Sequence, residues 1–505
     1  MKKSISILTY LFTALLLVIG LGLFSLTNQG IVSWRAPYAR QLPERLYTDQ
    51  SVVAFENVHV VPMDTERVLE NQTVIVENGM ITEIGNQGMI EIPADAQRIQ
   101  GRGRYLMPGL VDMHVHVKEE NELLLFAANG VTTIRNMWGG AGALRMMGFP
   151  DHLAWKIMIE EGELFGPTLY TSGPIMEGPP KTMPLMEVYA SPQAAAEAVN
   201  WQAAQGYDFI KVYDFLDVPT YQAVIQTADM LNLAVVGHVP KLVGLASAIE
   251  SGQATMEHLS GFIDSDAAAY IIPEDDIAGY AQMTKEAGIW ICPTIAVYQM
   301  HVPNEDLHVL DARSEMAYVS PGMKLTWQYF SRPGAMSRIT YQGDYSAWIR
   351  ENFLATTGIL HENGVKFILG TDADNPYLVP GFSLLDELDY LVEAGLSPYE
   401  AIEAGTSNSA KALGKLDEFG TVEVGKRADL ILVEGNPLAS VENVRQRAGV
   451  MLRGQWIDEA QLENMMQELV DSYRPTLVDR IWPLGLIAIA GYLVIRKMQR
   501  QQRPG

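Results

Sequence analysis

Eight short apolar runs, separated by stretches of helical pattern, dominate the middle of this chain and leave few folds open to it. The runs are Leu110 to Val117, Val131 to Met137, Thr168 to Gly173, Phe209 to Phe215, Ala234 to Val239, Thr255 to Ser260, Trp290 to Ile295 and Lys366 to Ala373. Helical stretches such as Pro192 to Gln205 and Pro219 to Leu231 lie between them. Strand–helix–strand alternation implies parallel pairing, because parallel neighbours need a long crossover to bring the chain back to the same edge. Eight such units in one body predict an α/β fold, a (β/α)8 TIM barrel over residues 108–417. In such a barrel the chemistry gathers at the C-terminal ends of the strands.

The flanks read as β structure of another kind. Residues 50–107 hold short β segments: Val52-Val53-Ala54-Phe55, Val58-His59-Val60-Val61, Thr73-Val74-Ile75-Val76 and Met80-Ile81-Thr82-Glu83-Ile84. Asn78-Gly79 is a hairpin turn between two of them. Residues 418–460 return to this style, with Ala428-Asp429-Leu430-Ile431-Leu432-Val433 as a strand. Two β-rich pieces around a long middle predict one small composite β-sandwich built from both ends of the body.

Beyond these lie two uncharged segments. Ile5 to Leu26 follows Lys2 and Lys3 and is mostly Leu, Ile, Val and Phe. A helix of that length spans roughly 30 Å of hydrocarbon. An N-terminal transmembrane anchor over residues 1–27 is expected. The competing reading is a cleaved signal peptide, against which stand the length of the apolar run and the lack of an A-x-A site. The second segment, Ile481 to Ile495, is short and holds Pro483, and Arg496, Lys497, Arg500 and Arg503 follow it. A transmembrane helix over 481–496 is expected, with an amphipathic or buried helix as its competitor. The basic tail assigns the C-terminus to the cytoplasm. Arg35, Arg40 and Arg45 make the N-terminal side less clear. Two spans then put the body outside the cytoplasm, at a cell or inner membrane.

Charge and cysteine content exclude more than they identify. The formal net charge of -24 argues against a nucleic-acid partner, which needs a basic face. The one cysteine, Cys292, rules out an intrachain disulfide and sits in the apolar run Ile289-Trp290-Ile291-Cys292, where it packs. Oligomeric state is left open.

The strand ends carry the chemistry. Strand one ends in Asp112-Met113-His114-Val115-His116. Side chains alternate along a strand, so His114 and His116 share a face and can grip one cation. Strand four reads Phe209-Ile210-Lys211-Val212-Tyr213. A buried, unpaired ammonium is costly, so Lys211 tends toward the neutral amine, which can take up CO₂ as a carbamate. The bland alternative is a lysine snorkelling to the surface. Strand five ends in Gly237-His238, strand six in Glu257-His258 and strand eight in Gly370-Thr371-Asp372. Of nine histidines, four fall near the ends of three predicted strands; His59, His152, His301, His308 and His361 do not. Nitrogen and oxygen donors without thiolate suit Zn²⁺, with Mn²⁺ and other divalent ions as alternatives.

The set His114, His116, Lys211, His238, His258 and Asp372 resembles the binuclear amidohydrolase superfamily, over nearly all of residues 50 to 456. Pro108-Gly109-Leu110-Val111-Asp112 before the H-x-H fits it, as do Gly130-Val131-Thr132-Thr133 and Gly425-Lys426-Arg427-Ala428-Asp429-Leu430 with Gly435-Asn436-Pro437-Leu438. Within the superfamily the chain is most similar to the imidazolonepropionase and Xaa-Pro dipeptidase-like branch. The resemblance implies two divalent metals, zinc by preference. It assigns His114, His116 and Asp372 to one, His238 and His258 to the other, and a carbamate on Lys211 to join them. It further implies a metal-activated hydroxide that cleaves a C–N bond of a small amide or peptide-like substrate. Asp372 would serve as general base and then general acid. Tyr213 is expected to face the mouth and polarise a carbonyl, or else to pack.

Three rivals stand beside this reading: a mononuclear deaminase, a lactone hydrolase of the same fold, and a catalytically inactive membrane-tethered binding protein. Deaminases of the superfamily commonly place a glutamate three residues after the strand-five histidine, and this chain has Lys241 there. An inactive barrel should have lost ligands, and none is missing. Dipeptidases of this branch bind the substrate carboxylate partly through a Gly-Gly-His-like segment after strand three, where this chain has Met176-Glu177-Gly178-Pro179-Pro180. The Trp-, Tyr- and Met-rich insertion from Val302 to Tyr345 reads as a lid over an apolar substrate or as a packed surface excursion.

Overall fold

The computed structural model describes residues 15–501 except 28, 30, 32–35, 47–50, 141, 143–144, 146–148, 183–185, 265–268, 300–306 and 331–342. The start of the first apolar segment, Arg35, His301, Arg503 and parts of the 302–345 insertion lie outside the described residues.

The central strands are β1 (Leu110–Val115), β2 (Val131–Asn136), β3 (Thr168–Thr171), β4 (Phe209–Val212), β5 (Ala234–Gly237), β6 (Thr255–Glu257), β7 (Trp290–Cys292) and β8 (Lys366–Phe367). Each begins at the residue where its apolar run begins. All neighbours pair in parallel, β1 to β3 in one sheet and β4 to β8 in another. Isolated parallel bridges close both seams, Ser172 with Phe209 and Val115 with Ala373. Eight parallel strands in cyclic order are consistent with the TIM barrel. Every residue of β1, β2 and β4 is buried, as expected of parallel strands covered on both faces.

Local signals set the helices between them. Ser191 caps Pro192–Gln205, with proline in the first turn and Gly206 in the left-handed conformation after it. Asp217 caps Val218–Met230 in the same way.

The flanking β pieces join into one eight-stranded mixed sheet. Its order is Gln455–Asp458, Arg447–Leu452, Leu430–Val433, Tyr105–Pro108, Val52–Val60, Leu69–Glu77 and Met80–Asn86, with Gln97–Gln100 paired to Val52–Val60. The sheet curls over on itself. Phe55 and Trp456 come from strands four places apart, yet their rings meet edge to face at 5.1 Å. Asn78 and Gly79 both take positive φ, as the turn of this hairpin requires. Val52–Val60 is one bulged strand rather than two segments, broken in register around Asn57 at φ 56.

The described part of the insertion packs on the segments that follow β1 and β8. Trp327, on helix Pro321–Phe330, is buried and donates through Nε1 to Asp374 Oδ1 at 2.9 Å. Ser320 donates to Glu119 Oε1 at 3.0 Å, and Tyr473 donates to the carbonyl of Tyr318 at 3.1 Å. Together with Tyr38, Leu42 and helix Glu459–Ser472 it builds a second small core.

The terminal segments take a more modest form than expected. Among the described residues one helical stretch, Glu459–Leu493, is long and apolar enough to cross a membrane by length and composition, and that alone is weak evidence of a span. In the N-terminal segment the described helix, Leu15–Thr27, is shorter.

Candidate metal centre

Two glycines let the site close. A Cβ on Gly370 would sit 2.6 Å from Cys292 Sγ and 2.9 Å from the His114 backbone nitrogen, so only glycine lets the chain after β8 lie against β1 and β7 here. Gly237 has φ +122, and a Cβ there would meet the Val212 carbonyl oxygen at 2.3 Å. That close approach presents His238 beside the end of β4.

The first cluster comes from β1 and the turn after β8. His116 Nε2 lies 2.9 Å from Asp372 Oδ1, and His114 Nε2 lies 3.3 Å from the same oxygen. The three donor atoms fall within 4.8 Å of one another. Asp372 Oδ1 is buried and no donor is aligned for a hydrogen bond to it. A buried carboxylate oxygen facing two ring nitrogens without a hydrogen bond is what a shared cation satisfies.

His238 and His258 continue the set. The ring centroids of His114 and His258 are 4.5 Å apart, and those of His258 and His238 are 4.9 Å apart. Lys211 Nζ stands 3.5 Å from His114 Nε2. The structure thus brings together all six residues singled out in the sequence. Tyr213 packs its ring on His238, with centroids 3.9 Å apart.

Electrostatics prepare these groups. Burial, with help from Lys211 and neighbouring rings, holds His114 and His258 well below the usual imidazole range, so they stay neutral. Burial also lowers the Lys211 amine to about 8. For Asp372, burial pushes upward, but His258, His116 and Lys211 outweigh it and bring the carboxyl to about 2. Neutral imidazoles, an ionised carboxylate and a lysine near neutrality form a donor set that fits divalent metal.

Sequence reasoning missed the groups that orient these donors. His238 Nδ1 meets Asp214 Oδ1 at 2.7 Å, and His114 Nδ1 meets Glu257 Oε2 at 2.9 Å. His258 Nδ1 lies 2.6 Å from Thr294 Oγ1, whose one hydrogen goes to the Pro293 carbonyl at 2.7 Å. The ring nitrogen therefore donates, which leaves His258 Nε2 bare. His258, Thr294 and Asp372 have φ of 60, 52 and 67, turning the chain sharply out of the ladder at the ligand positions. Lys241, where deaminases of the superfamily carry a glutamate, pairs with Asp264 at 3.6 Å. Glu177 is buried and accepts the backbone N–H groups of Gly178 and Phe215, fixing the loop after β3 to the end of β4.

Comparison with known proteins places the chain in a family. The profile of the Amidohydrolase family matches residues 105–457. The 5-methylthioadenosine/S-adenosylhomocysteine deaminase of Caldanaerobacter subterraneus subsp. tengcongensis is 23% identical over 409 residues, 75% of this chain and 84% of that protein. Aspergillus niger ochratoxinase is 24% identical over 442 residues, 76% of this chain and 81% of that protein. Among solved structures, a bottromycin amidohydrolase superposes with a TM-score of 0.69 at 21% identity, covering 89% of this chain and 96% of its own. A Xaa-Pro dipeptidase with bound methionine superposes at 0.61 and 21% identity, covering 81% of this chain and 100% of its own. With imidazolonepropionases also among its relatives, the neighbourhood is the branch the sequence resembles. Matched over most of its length, this chain belongs to the amidohydrolase family and is a metal-dependent hydrolase acting on carbon–nitrogen bonds.

Proposed function

We propose that the chain is a binuclear amidohydrolase that cleaves an amide or peptide-like bond of a small substrate, with Lys211 carbamylated between two metals. The observation that carries this is the Lys211 amine, buried and near neutrality, 3.5 Å from His114 Nε2. Among the described residues, no group of three His, Cys, Asp or Glu donor atoms within 4.8 Å of one another includes both His238 and His258. A carbamate on Lys211 completes their set.

His114, His116 and Asp372 would hold one cation, His238 and His258 the other. When bound, such cations lower the pKa of water and polarise a carbonyl. Asp372 takes the proton of the attacking water and passes it to the leaving nitrogen, a role its unbonded oxygen supports. Lys241 is engaged with Asp264, which favours hydrolysis of an amide over deamination.

The terminal helices tether this body to a membrane, with the body extracytoplasmic. Support comes from helix Leu477–Gln501, whose Ile481, Leu484, Ile489 and Ile495 point away from the protein, and from the basic residues near its end.

A substrate panel on the full chain in detergent tests the chemistry, with dipeptides, N-acyl amino acids, cyclic amides, lactones and aminopurines. Chelator-sensitive cleavage of an amide is expected. Turnover confined to aminopurines, with ammonia released, would replace this reading by the deaminase one.

A further inference from the structure

Two buried charged side chains have no part in the chemistry above. Arg135 lies on β2 and Glu257 on β6, strands that are not neighbours, and their contact crosses the barrel interior. Arg135 Nη2 donates to Glu257 Oε1 at 2.8 Å, its Nε to the Met113 carbonyl at 2.6 Å, and its Nη1 to Thr255 Oγ1 at 3.3 Å. The Thr255 hydroxyl also donates to Glu257 Oε1. Glu257 Oε2 faces His114 Nδ1 at 2.9 Å. An ion pair taken wholly out of water is a poor stabiliser compared with apolar side chains of similar volume. Its presence inside the barrel calls for another explanation.

We propose that Glu257, held in place by Arg135 and Thr255, is a positioning residue that keeps the proton of His114 on Nδ1 and so keeps Nε2 open to a cation beside Asp372. This rests on the metal reading of the site. A carboxylate only accepts, so the 2.9 Å contact makes His114 Nδ1 the donor. The opposite nitrogen is then a bare acceptor, and it is the one that lies 3.3 Å from Asp372 Oδ1. His114 Nδ1, Glu257 and Cys292 also come within 4.8 Å of one another, but the hydrogen bond to Glu257 accounts for that group without a further metal.

Glutamine is a sensitive probe because it fits neither way. With its NH₂ toward His114, the ring must accept at Nδ1 and carry its proton on Nε2, which closes the metal-binding nitrogen. With its oxygen toward His114, the NH₂ confronts the Arg135 guanidinium, which has donors only. Glu257→Gln should therefore weaken zinc binding by about 10–100-fold, the range typical of partners that orient a metal-bound histidine. Thr255→Val removes one of the bonds that hold the same carboxylate but none to His114, and should cost clearly less zinc affinity than Glu257→Gln.

The measurement is competition for zinc between a chelator and the metal-free full chain in detergent, with circular dichroism as a check on folding. Wild-type affinity in folded Glu257→Gln, or equal losses in both variants, would overturn the proposal. A wild-type chain that binds no zinc would overturn the metal reading itself and this role with it. If Glu257→Gln does not fold, ¹⁵N spectra of histidine-labelled, metal-free wild type decide. The His114 signals, assigned by their loss in His114→Asn, should show a protonated Nδ1 and a bare Nε2; the reverse tautomer refutes the role.

Discussion

Replacing Lys211 by methionine should stabilise the metal-free protein while removing its function. The side chain is 1% exposed, and burial lowers its amine from the ordinary 10.5 to about 8. The unfolded chain holds this proton up to about pH 10.5 and the folded chain only to about 8. Burial therefore opposes folding below pH 8, and the penalty fades as pH rises from 8 to 10.5. The drop corresponds to roughly 3 kcal/mol. Methionine keeps most of the apolar stem and needs no hydration. It also takes away one positive group near Glu257 and Asp372, which reduces the gain. The expected result is a gain of about 1–3 kcal/mol at pH 7 that falls toward zero near pH 10.5. Urea unfolding of metal-stripped wild type and Lys211→Met, at pH 7 and pH 10, measures it. Zinc uptake and turnover should fall in the same variant. A variant less stable than wild type at pH 7, or a difference that does not change with pH, would refute the reasoning.

Three further outcomes are expected. Elemental analysis of the purified chain should find close to two divalent ions per molecule, and at most one after growth with added zinc or manganese would remove the binuclear site. Asp372→Asn should keep the fold and lose turnover by roughly 10²–10⁴-fold, with metal content measured alongside because Asp372 is also a proposed ligand; normal turnover would mean that another group moves the proton. Protease added to intact cells, or to spheroplasts where there is an outer membrane, should digest the body and spare a C-terminal tag; a protected body with an exposed tag on inverted vesicles would place it in the cytoplasm.

Much of the architecture was legible because burial on two faces leaves a plain mark. Each barrel strand starts where its apolar run starts, since a parallel strand has no polar face to break the run. The ends were read too long. β4 was drawn through Phe215, but regular pairing stops at Val212, and Asp214 then turns to meet His238. Strict alternation would have sent Asp214 away from the face of Lys211 and Tyr213. The ligands were legible because histidine is scarce here and recurs at strand ends. Their orienting partners were not. Asp214, Thr294 and Glu257 lie 24, 36 and 143 residues from the histidines they contact, and nothing in periodicity links such positions. The insertion shows the same limit: aromatic content announced that it would bury surface, but not that Trp327 would bind Asp374 beside the barrel.

Several unfavourable features of this fold lie where the ligands are. His258, Thr294 and Asp372 hold left-handed backbone, and residues in sparsely populated conformations cost on the order of 1–3 kcal/mol each. Asp112, just before the H-x-H, is raised by burial to about 7 despite bonds from Thr371 and the His114 amide. Its folded form keeps a proton that the unfolded chain releases near pH 4, so the metal-free fold loses stability as pH rises from about 4 to 7. Glu387 is raised to about 8 while it accepts the amides of Ile295 and Ala296, next to Thr294. Its contribution is likewise lost on the way up through neutral pH. Lys211 adds its own penalty below pH 8. None of these groups would be chosen for stability alone. A ligand that binds only the folded state stabilises by about 4 kcal/mol at a thousand times its Kd, which is of the size needed to offset one or two of them. The strained, half-neutralised cluster is then best understood as a site built for a cation, in which the cost of holding bare nitrogens and an unbonded carboxylate oxygen together is recovered when the metal arrives.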